Sequence, residues 1–303
     1  MKLHYLILLL SGLSGNLLSQ EYNIGHTVLS LTDAERENRV IPVEVYYPAD
    51  IYGNNVPLSS CRSSKYPVLC FAHGYLMSWE SYTYLSSALV QKGYIIAFPK
   101  TDGELFPSHA NLAKDISLIL RKISEYGNDT GSIFFKRVLN MNCAMGHSMG
   151  GGAAVLATSY DSTITALAVL APEDTRPSAV KASNRVNIPT LIISGENDCI
   201  TKPEVHQLPI FENLLSTSKI LLTIKGASHC QMADKNFLCD LAERTCSPAP
   251  SVSREEQQAI IIKYLVPWLN LYLKRDSDSA SRFGSMIRSD TCVVLRSGSR
   301  TIF

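Results

Sequence analysis

The residues most able to do chemistry lie in segment 146–152, which reads Gly-His-Ser-Met-Gly-Gly-Gly. It follows an apolar run, 138–145, that predicts a strand, and it leads into segment 151–159, which predicts a helix. Gly-x-Ser-x-Gly between a strand and a helix is typical of a nucleophile elbow, a tight turn that lifts the serine hydroxyl above the sheet. The pentapeptide is short enough to arise by chance, but this setting and the extra glycines favour Ser148 as a nucleophile.

A serine hydroxyl needs a histidine to take its proton and a carboxylate to orient that histidine. In chain order, an α/β-hydrolase places the acid on a loop after a later strand and the histidine last. Asp198 ends the turn after predicted strand 190–194, and His229 follows predicted strand 219–224. Because ligands bind at the carboxyl ends of parallel strands, we predict Asp198 as the acid and His229 as the base.

Neighbouring residues offer alternatives for both roles. Glu196 shares the acid loop, but Asp198 is favoured because it lies deeper in that loop. His206 is expected to face solvent. His147 is expected to pack against loops next to the elbow, and it is also a candidate for substrate binding.

Two backbone N–H groups should stabilise the oxyanion that forms during attack on a carbonyl. One is the N–H of Met149, which follows the predicted nucleophile. The other is expected from the turn His73-Gly74-Tyr75 after predicted strand 67–72. A His-Gly pair alone indicates a simple turn. Its place two strands and two helices before the elbow favours the N–H of Tyr75 as the second oxyanion donor.

Strand and helix patterns alternate from residue 38 to residue 274 and predict the scaffold of the site. Segment 40–47 alternates like an antiparallel edge strand. Further apolar runs predict buried strands at 67–72, 94–98, 166–171, 190–194 and 219–224. Helical patterns cover 81–92, 110–126 and 253–274. The alternation predicts one α/β domain over residues 20–275, with a mostly parallel sheet of about eight strands and helices on both faces.

The composition restricts the classes of partner. The 303 residues carry 28 basic and 27 acidic side chains, with no basic run that would indicate nucleic acid binding. The late cysteines are too widely spaced for a zinc site, so neither a metal nor another cofactor is expected. We expect a monomer.

The first nineteen residues, 1–19, predict a signal peptide, with a buried N-terminal helix as the alternative. Lys2 precedes the apolar run 6–10, and a small-residue cleavage site follows. No later run reaches the length of a membrane span, and the even count of eight cysteines permits disulfides. We therefore expect a secreted or periplasmic protein. Residues 276–303 form a C-terminal appendage, either ordered or loose, which we expect to be peripheral.

The motifs together resemble α/β-hydrolases of the bacterial cutinase, PET hydrolase and dienelactone hydrolase-like group, with chlorophyllase and platelet-activating-factor acetylhydrolase as more distant relatives. The matching stretches are 74–75, 81–93, 146–152, 188–198 and 226–229. The resemblance implies an α/β-hydrolase fold and ester hydrolysis through an acyl-enzyme. It also implies that Tyr75 contributes a ring beside the ester as well as its N–H.

The chain departs from this group beside the predicted cleft. Polyester hydrolases of the group carry a tryptophan shortly after an Ala-Pro pair, whereas here Ala171-Pro172 is followed by Glu173, a candidate substrate-binding residue. Without this tryptophan the site has no aromatic clamp at that position, which argues against activity on aromatic polyesters. Segment 173–187 is too short for a large cap domain, so the site should admit bulky or polymeric esters as well as small ones. Segment 102–109 is either part of this groove or a surface loop.

Cys199 and Cys230 directly follow the predicted acid and base. Because the acid and base must touch, their loops should lie close together, which predicts a Cys199–Cys230 disulfide, with two separate thiols as the alternative. The sequence thus predicts a secreted serine ester hydrolase. A serine peptidase or acyltransferase of the same fold is one alternative, and a catalytically silent binding protein is another, although the complete triad argues against the latter.

Overall fold

The computed structural model describes residues 21–61 and 64–298. Its strands are β1 Asn23–Asp33, β2 Arg39–Ala49, β3 Gly53–Asn54, β4 Tyr66–Ala72, β5 Ile95–Pro99, β6 Val138–His147, β7 Ala166–Leu170, β8 Thr190–Gly195, β9 Lys219–Ile224 and β10 Val293–Ser297. Its α-helices are α1 Thr83–Gln91, α2 His109–Tyr126, α3 Met149–Tyr160, α4 Ala179–Ser183, α5 Leu208–Asn213, α6 Phe237–Glu243, α7 Arg254–Leu273 and α8 Ser277–Ser289.

The strands form one sheet in the order β10-β9-β8-β7-β6-β4-β5-β2-β1-β3. The neighbours from β5 through β4 and β6 to β9 run parallel, whereas β2 is antiparallel to β5 and β1, and β10 to β9. The predicted mostly parallel α/β-hydrolase sheet is confirmed, with ten strands in the described residues rather than about eight. Segment 40–47, expected at the edge, lies inside the sheet because β1 pairs along the whole of β2.

Helices cover both faces of the sheet. α2 and α3 pack on one face, and α1, α7 and α8 pack on the other. Along β4, Val68 and Cys70 belong to the first core, whereas Leu69 and Phe71 belong to the second. Burial on both faces explains why this strand is a continuous apolar run. Burying a side chain such as that of Phe71 contributes roughly 1.5–3 kcal/mol, so the two cores fix the parallel strands whose ends carry the site.

A capping box fixes where α7 begins. The Ser253 hydroxyl accepts the N–H of Glu256, and the Glu256 carboxylate accepts the N–H of Ser253. The helix then runs to Leu273 and packs Trp268 fully buried against the sheet. Its first turn consequently holds Gln257, which is fully buried, against the loop that follows β9.

The C-terminal segment is an ordered part of this domain as far as it is described, which corrects the expected boundary at 275. α8 packs on α7, where the rings of Phe283 and Tyr264 lie 5.7 Å apart. β10 then pairs antiparallel with β9, with Val293 opposite Ile224. The short, mixed run 293–297 gives a weak strand signal by itself, and its pairing with the sheet makes it a strand.

The predicted signal peptide, residues 1–19, lies outside the described residues. Across 21–61 and 64–298, no helix has both the length and the apolar character that crossing a bilayer requires.

Candidate active site

Ser148 stands between β6 and α3 in a backbone conformation that ordinary residues seldom adopt, with φ 55° and ψ −122°. Its N–H donates to the carbonyl of Leu170 at 3.0 Å, and its own carbonyl accepts the N–H of Glu173 at 3.0 Å. A Cβ at Gly146 would overlap the carbonyl of Gly150, so the elbow needs glycine where the strand and the helix approach each other. Such strain costs about 1–3 kcal/mol and is typical of functional sites.

The carboxylate of Asp198 lies in the loop after β8 and is buried in a dense set of donors. Oδ1 accepts the N–H groups of Ile200 and Thr201 at 2.9 and 2.8 Å. Oδ2 accepts the hydroxyl of Thr201 at 2.9 Å and the amide of Gln207 at 3.0 Å. Burial acts to raise the pKa of Asp198, but the charge of His229 and hydrogen bonds from His229 and Thr201 outweigh it and hold the pKa below its ordinary value.

His229 follows β9, and its Nδ1 lies 2.9 Å from Oδ2 of Asp198. The hydroxyl of Thr201 is a further 3.0 Å neighbour of the same nitrogen. Because an ionised carboxylate can only accept, Nδ1 carries the proton, and Nε2 is left as the acceptor. The His229 ring also lies against the elbow, with its centroid 4.6 Å from that of His147. The structure thus brings the predicted acid, base and elbow together.

His147 does not line the cleft, which corrects its place among the substrate-binding candidates. As the last residue of β6 it is fully buried, enclosed between Tyr82 and the His229 ring. Its Nδ1 lies 3.0 Å from the Tyr82 hydroxyl, which in turn accepts the N–H of Gly74 at 2.9 Å. Burial, and secondarily the nearby His229, hold the pKa of His147 well below its ordinary value, so the ring is neutral.

A cleft of about 750 Å³ opens in front of Ser148. Among the predicted site residues, it is lined by Ser148, Met149, Tyr75 and Glu173. Residues that were not predicted for it also line it, namely Arg176, Ile200, Thr201 and His206. His206 was expected to face solvent, but it is half-buried and its Nδ1 accepts the N–H of Asp174 at 3.1 Å.

The two residues predicted to supply oxyanion N–H groups, Met149 and Tyr75, both line this cleft. Met149 opens α3, so its N–H has no acceptor within the helix, and it lies at the positive end of the helix dipole. Tyr75 lies in the turn after β4 and lines the same cleft. Gly74 is held in this turn by the Tyr82 hydroxyl and by its own carbonyl, which accepts the N–H of Met77 at 3.1 Å.

Segment 102–109 forms one wall of the cleft, which agrees with its interpretation as part of the groove rather than as a surface loop. Phe106 is 90% exposed and Leu105 is 62% exposed, which makes this wall strongly apolar. The Tyr75 hydroxyl donates to the carbonyl of Leu105 at 2.9 Å and links the wall to the turn after β4. At the base of the loop, Asp102 Oδ1 accepts the N–H of Ser108 at 2.9 Å.

Asp102 is also bound from the far side of this wall. Its Oδ2 accepts Nη2 of Arg39 at 2.8 Å, and the same guanidinium reaches the buried carboxylate of Asp115 on α2 at 3.0 Å. Burial raises the pKa of Asp102, although the Ser108 N–H and the charge of Arg39 oppose the rise. The wall is therefore anchored to the core rather than free to swing.

The predicted Cys199–Cys230 disulfide is wrong. Cys199 bonds to Cys246, with the Cα atoms 5.7 Å apart, and Cys230 bonds to Cys239, with the Cα atoms 5.6 Å apart. The contact between the acid and the base fixes those two side chains but not the direction of the residues that follow them. Cys230 is turned toward α6, where its N–H donates to the carboxylate of Glu243 at 2.9 Å.

Glu196, the alternative acid, lies outside this network. It is exposed, and its carboxylate accepts the N–H of Gly226 at 2.8 Å. Within 21–61 and 64–298, no group of three or more His, Cys, Asp and Glu side chains is arranged to hold a metal ion.

The sheet, the strained elbow and the acid–base pair at the strand ends define an α/β-hydrolase. The family model described as PET hydrolase-like matches residues 42–287, and the chain belongs to that family. The resemblance to the bacterial cutinase and PET hydrolase group is thereby confirmed.

Named relatives agree with this membership. The chain is 26% identical over 254 residues to Cutinase 2 of Thermobifida cellulosilytica, covering 81% of this chain and 86% of that protein. It is 26% identical to Cutinase cut1 of Thermobifida fusca, covering 81% of this chain and 70% of that protein. It is 22% identical to the bis(hydroxyethyl) terephthalate hydrolase of Streptomyces coelicolor, covering 77% of this chain and 62% of that protein. Family and relatives together support an ester hydrolase.

Proposed function

We propose that the protein is an exported serine ester hydrolase that works through an acyl-enzyme, with Ser148 as nucleophile, His229 as base and Asp198 as the orienting acid. The observation that carries the proposal is the 2.9 Å hydrogen bond between His229 Nδ1 and Asp198 beside the strained Ser148 turn. This bond fixes the tautomer in which Nε2 can accept a proton. The low pKa of Asp198 keeps its carboxylate charged when the imidazole becomes protonated.

In the first half-reaction, the Ser148 oxygen attacks the ester carbonyl carbon as His229 Nε2 takes the hydroxyl proton. The carbonyl oxygen becomes an oxyanion, which the N–H groups of Tyr75 and Met149 stabilise. One such donor is commonly worth about 10²–10³ in kcat. The intermediate collapses, the acyl–oxygen bond to the alcohol breaks, and His229 returns the proton to the leaving alcohol. Water then repeats the cycle on the acyl-enzyme and releases the acid.

The Thr201 hydroxyl supports the acid–base pair. It lies 2.9 Å from Asp198 Oδ2 and 3.0 Å from His229 Nδ1, and it contacts the carbonyl of Ala171 at 3.0 Å. With the Gln207 amide on the same carboxylate oxygen, it restricts the rotation of the pair. Restricting that motion keeps the base in one orientation before a substrate arrives.

The substrate that fits best is a neutral ester with an apolar group, either small or part of a polymer. The apolar wall of Leu105 and Phe106 and the ring of Tyr75 offer contact area to such a group. Glu173 and Arg176 add polar atoms to the lining, to which we assign the ester alcohol. Relatives named as cutinases and as a terephthalate ester hydrolase agree with this class.

Export and the monomeric state are parts of the same proposal. Two disulfides in the described chain suit an oxidising compartment, and they support the interpretation of residues 1–19 as a signal peptide. We propose a monomer because one chain supplies every group that the reaction uses.

Hydrolysis of a p-nitrophenyl ester by the wild type and by Ser148→Ala tests this function. We expect release of p-nitrophenol by the wild type and a fall of at least about 10³-fold in the variant. A matched p-nitroanilide distinguishes an esterase from a peptidase of the same fold, because a peptidase would cleave the anilide at a comparable or higher rate. A wild type that is inactive on esters of every chain length would favour a silent binding protein.

A further inference from the structure

The loop that carries His229 is bonded to α6 through a disulfide and a hydrogen bond. Cys230, directly after the histidine, is bonded to Cys239 on α6. Cys199, directly after the acid, is bonded to Cys246 just beyond α6. The short stretch 239–246 is thus tied covalently to the acid loop and to the base loop.

Within this stretch, the side chain of Glu243 is turned inward and is almost completely buried. One carboxylate oxygen accepts the hydroxyl of Ser228 at 2.9 Å, and the other accepts the N–H of Cys230 at 2.9 Å. These are the residues immediately before and after His229. One buried carboxylate therefore holds the chain on both sides of the base.

Side chains of α7 hold the remaining backbone groups of the same two residues. The amide of Gln257 accepts the N–H of Ser228 at 2.9 Å and donates to its carbonyl at 2.8 Å. Nη1 of Arg254 donates to the carbonyl of Cys230 at 2.6 Å, and its Nη2 binds Asp240 on α6 at 2.7 Å. α7 is itself fixed to the core. From α6, it is Glu243 that makes hydrogen bonds to Ser228 and Cys230, on either side of the base.

We propose that Glu243 is a positioning residue for His229, a role that rests on the proposed function. It acts through two hydrogen bonds that set the backbone at 228 and 230, and so the direction of the imidazole between them. Losing both would leave a buried N–H and a buried hydroxyl without partners, and the loop would shift to satisfy them. A shift of about 1 Å in a catalytic group can cost on the order of 10²-fold in rate.

Two substitutions separate these hydrogen bonds from the charge. In Glu243→Gln, the amide oxygen can still accept the N–H of Cys230, while the amide nitrogen can donate to the Ser228 oxygen. In Glu243→Leu, both hydrogen bonds are lost, while the side chain keeps a similar volume. We expect Glu243→Leu to lower kcat by roughly 10- to 100-fold with KM within about threefold, and Glu243→Gln to retain kcat within about threefold.

Asp276 offers a matched control far along the chain. One of its oxygens accepts the N–H of Asp278 at 3.1 Å, and the other accepts the Ser279 hydroxyl at 2.7 Å. It repeats the bonding of Glu243 at the start of α8, away from the lining of the cleft. Asp276→Leu should keep kcat near the wild-type value even where it lowers the thermal midpoint.

We also measure how fast a fluorophosphonate labels the wild type, Ser148→Ala and these variants, because this labelling does not require the ester substrate to bind. We expect Glu243→Leu to slow labelling in proportion to its loss in kcat. Equal kcat in Glu243→Leu and wild type, or an equal loss in the leucine and glutamine variants, would overturn the positioning role. If Glu243→Leu does not fold, Ser228→Ala, which removes one of the two bonds, should lower kcat roughly three- to tenfold, and an unchanged kcat would overturn the role. A wild type without Ser148-dependent turnover would instead refute the proposed function.

Discussion

The hydroxyl of Tyr82 lies 3.0 Å from Nδ1 of His147 and 2.9 Å from the backbone nitrogen of Gly74. One buried group therefore joins the Ser148 elbow to the turn that contains Tyr75. Because the His147 ring also lies against the His229 ring, the same contact links this turn to His229, the predicted base.

We expect Tyr82→Phe to lower kcat about tenfold with little change in KM, because the buried N–H of Gly74 loses its acceptor and the turn can shift away from the developing charge. Steady-state kinetics on p-nitrophenyl butyrate measures this split. Tyr94→Phe is the matched control, since Tyr94 is equally buried and bonds Asn270 at 2.7 Å outside the cleft. Equal kcat values for the two variants would show that Tyr82 has no part in positioning the turn.

The anchoring of the cleft wall predicts a selective effect on long esters. Asp102→Ala removes the carboxylate that accepts the N–H of Ser108 within the loop and the guanidinium of Arg39. We expect KM for p-nitrophenyl decanoate to rise roughly fivefold or more while KM for the acetate changes less than about twofold, because only the longer chain reaches the apolar wall. Glu104→Ala, an exposed change in the same loop, should leave both values unaltered. Parallel increases for both esters would contradict a role in chain-length preference.

The two disulfides should differ in their effect on stability. The Cys199–Cys246 bond closes a sequence separation of 47 residues, and the Cys230–Cys239 bond closes one of 9. Chain entropy then predicts that replacing the first pair by alanine lowers the free energy of unfolding by about 4 kcal/mol, and replacing the second by about 2.5 kcal/mol. Guanidinium denaturation of the two double variants measures the difference. Recovery of a Cys199–Cys230 peptide from the unreduced protein would contradict this pairing.

The C-terminal segment should confer stability that depends on pH. A hydrogen bond from Lys263, with burial opposing it and the N–H of Cys292 assisting, lowers the pKa of Asp290 to about 2. Because the folded pKa is below the unfolded one, the stabilisation is complete above about pH 5 and is lost as the pH falls through 4 toward 2. We expect Asp290→Asn to reduce the free energy of unfolding by about 1–2 kcal/mol at pH 7, by roughly half as much at pH 3, and by little below pH 2. A constant difference across this range would refute the assignment.

The sequence was informative where a local pattern dictates a local structure. The glycines around Ser148 and the acidic and histidine residues after apolar runs placed Ser148, Asp198 and His229 at strand ends, and the structure brings the last two into contact. The family resemblance and the α/β-hydrolase sheet followed from the same signals. The catalytic roles of these residues stay predictions.

Features that depend on long-range contacts could not be predicted from the sequence. The disulfide partners are set by the path of α6, and neither spacing nor the contact between the triad residues encodes that path. The burial of Glu243 beside Ser228 likewise comes from folding residues 237–243 back onto the base loop. β10 is a strand because β9 offers it an edge, not because its own run is strongly apolar.

Mass spectrometry of the protein after reaction with a fluorophosphonate tests the central claim most directly. We predict one adduct per chain on the peptide that contains Ser148, absent in Ser148→Ala and formed at least about 10²-fold more slowly in His229→Ala. An adduct that maps to another residue, or one that forms equally in the wild type and Ser148→Ala, would contradict it.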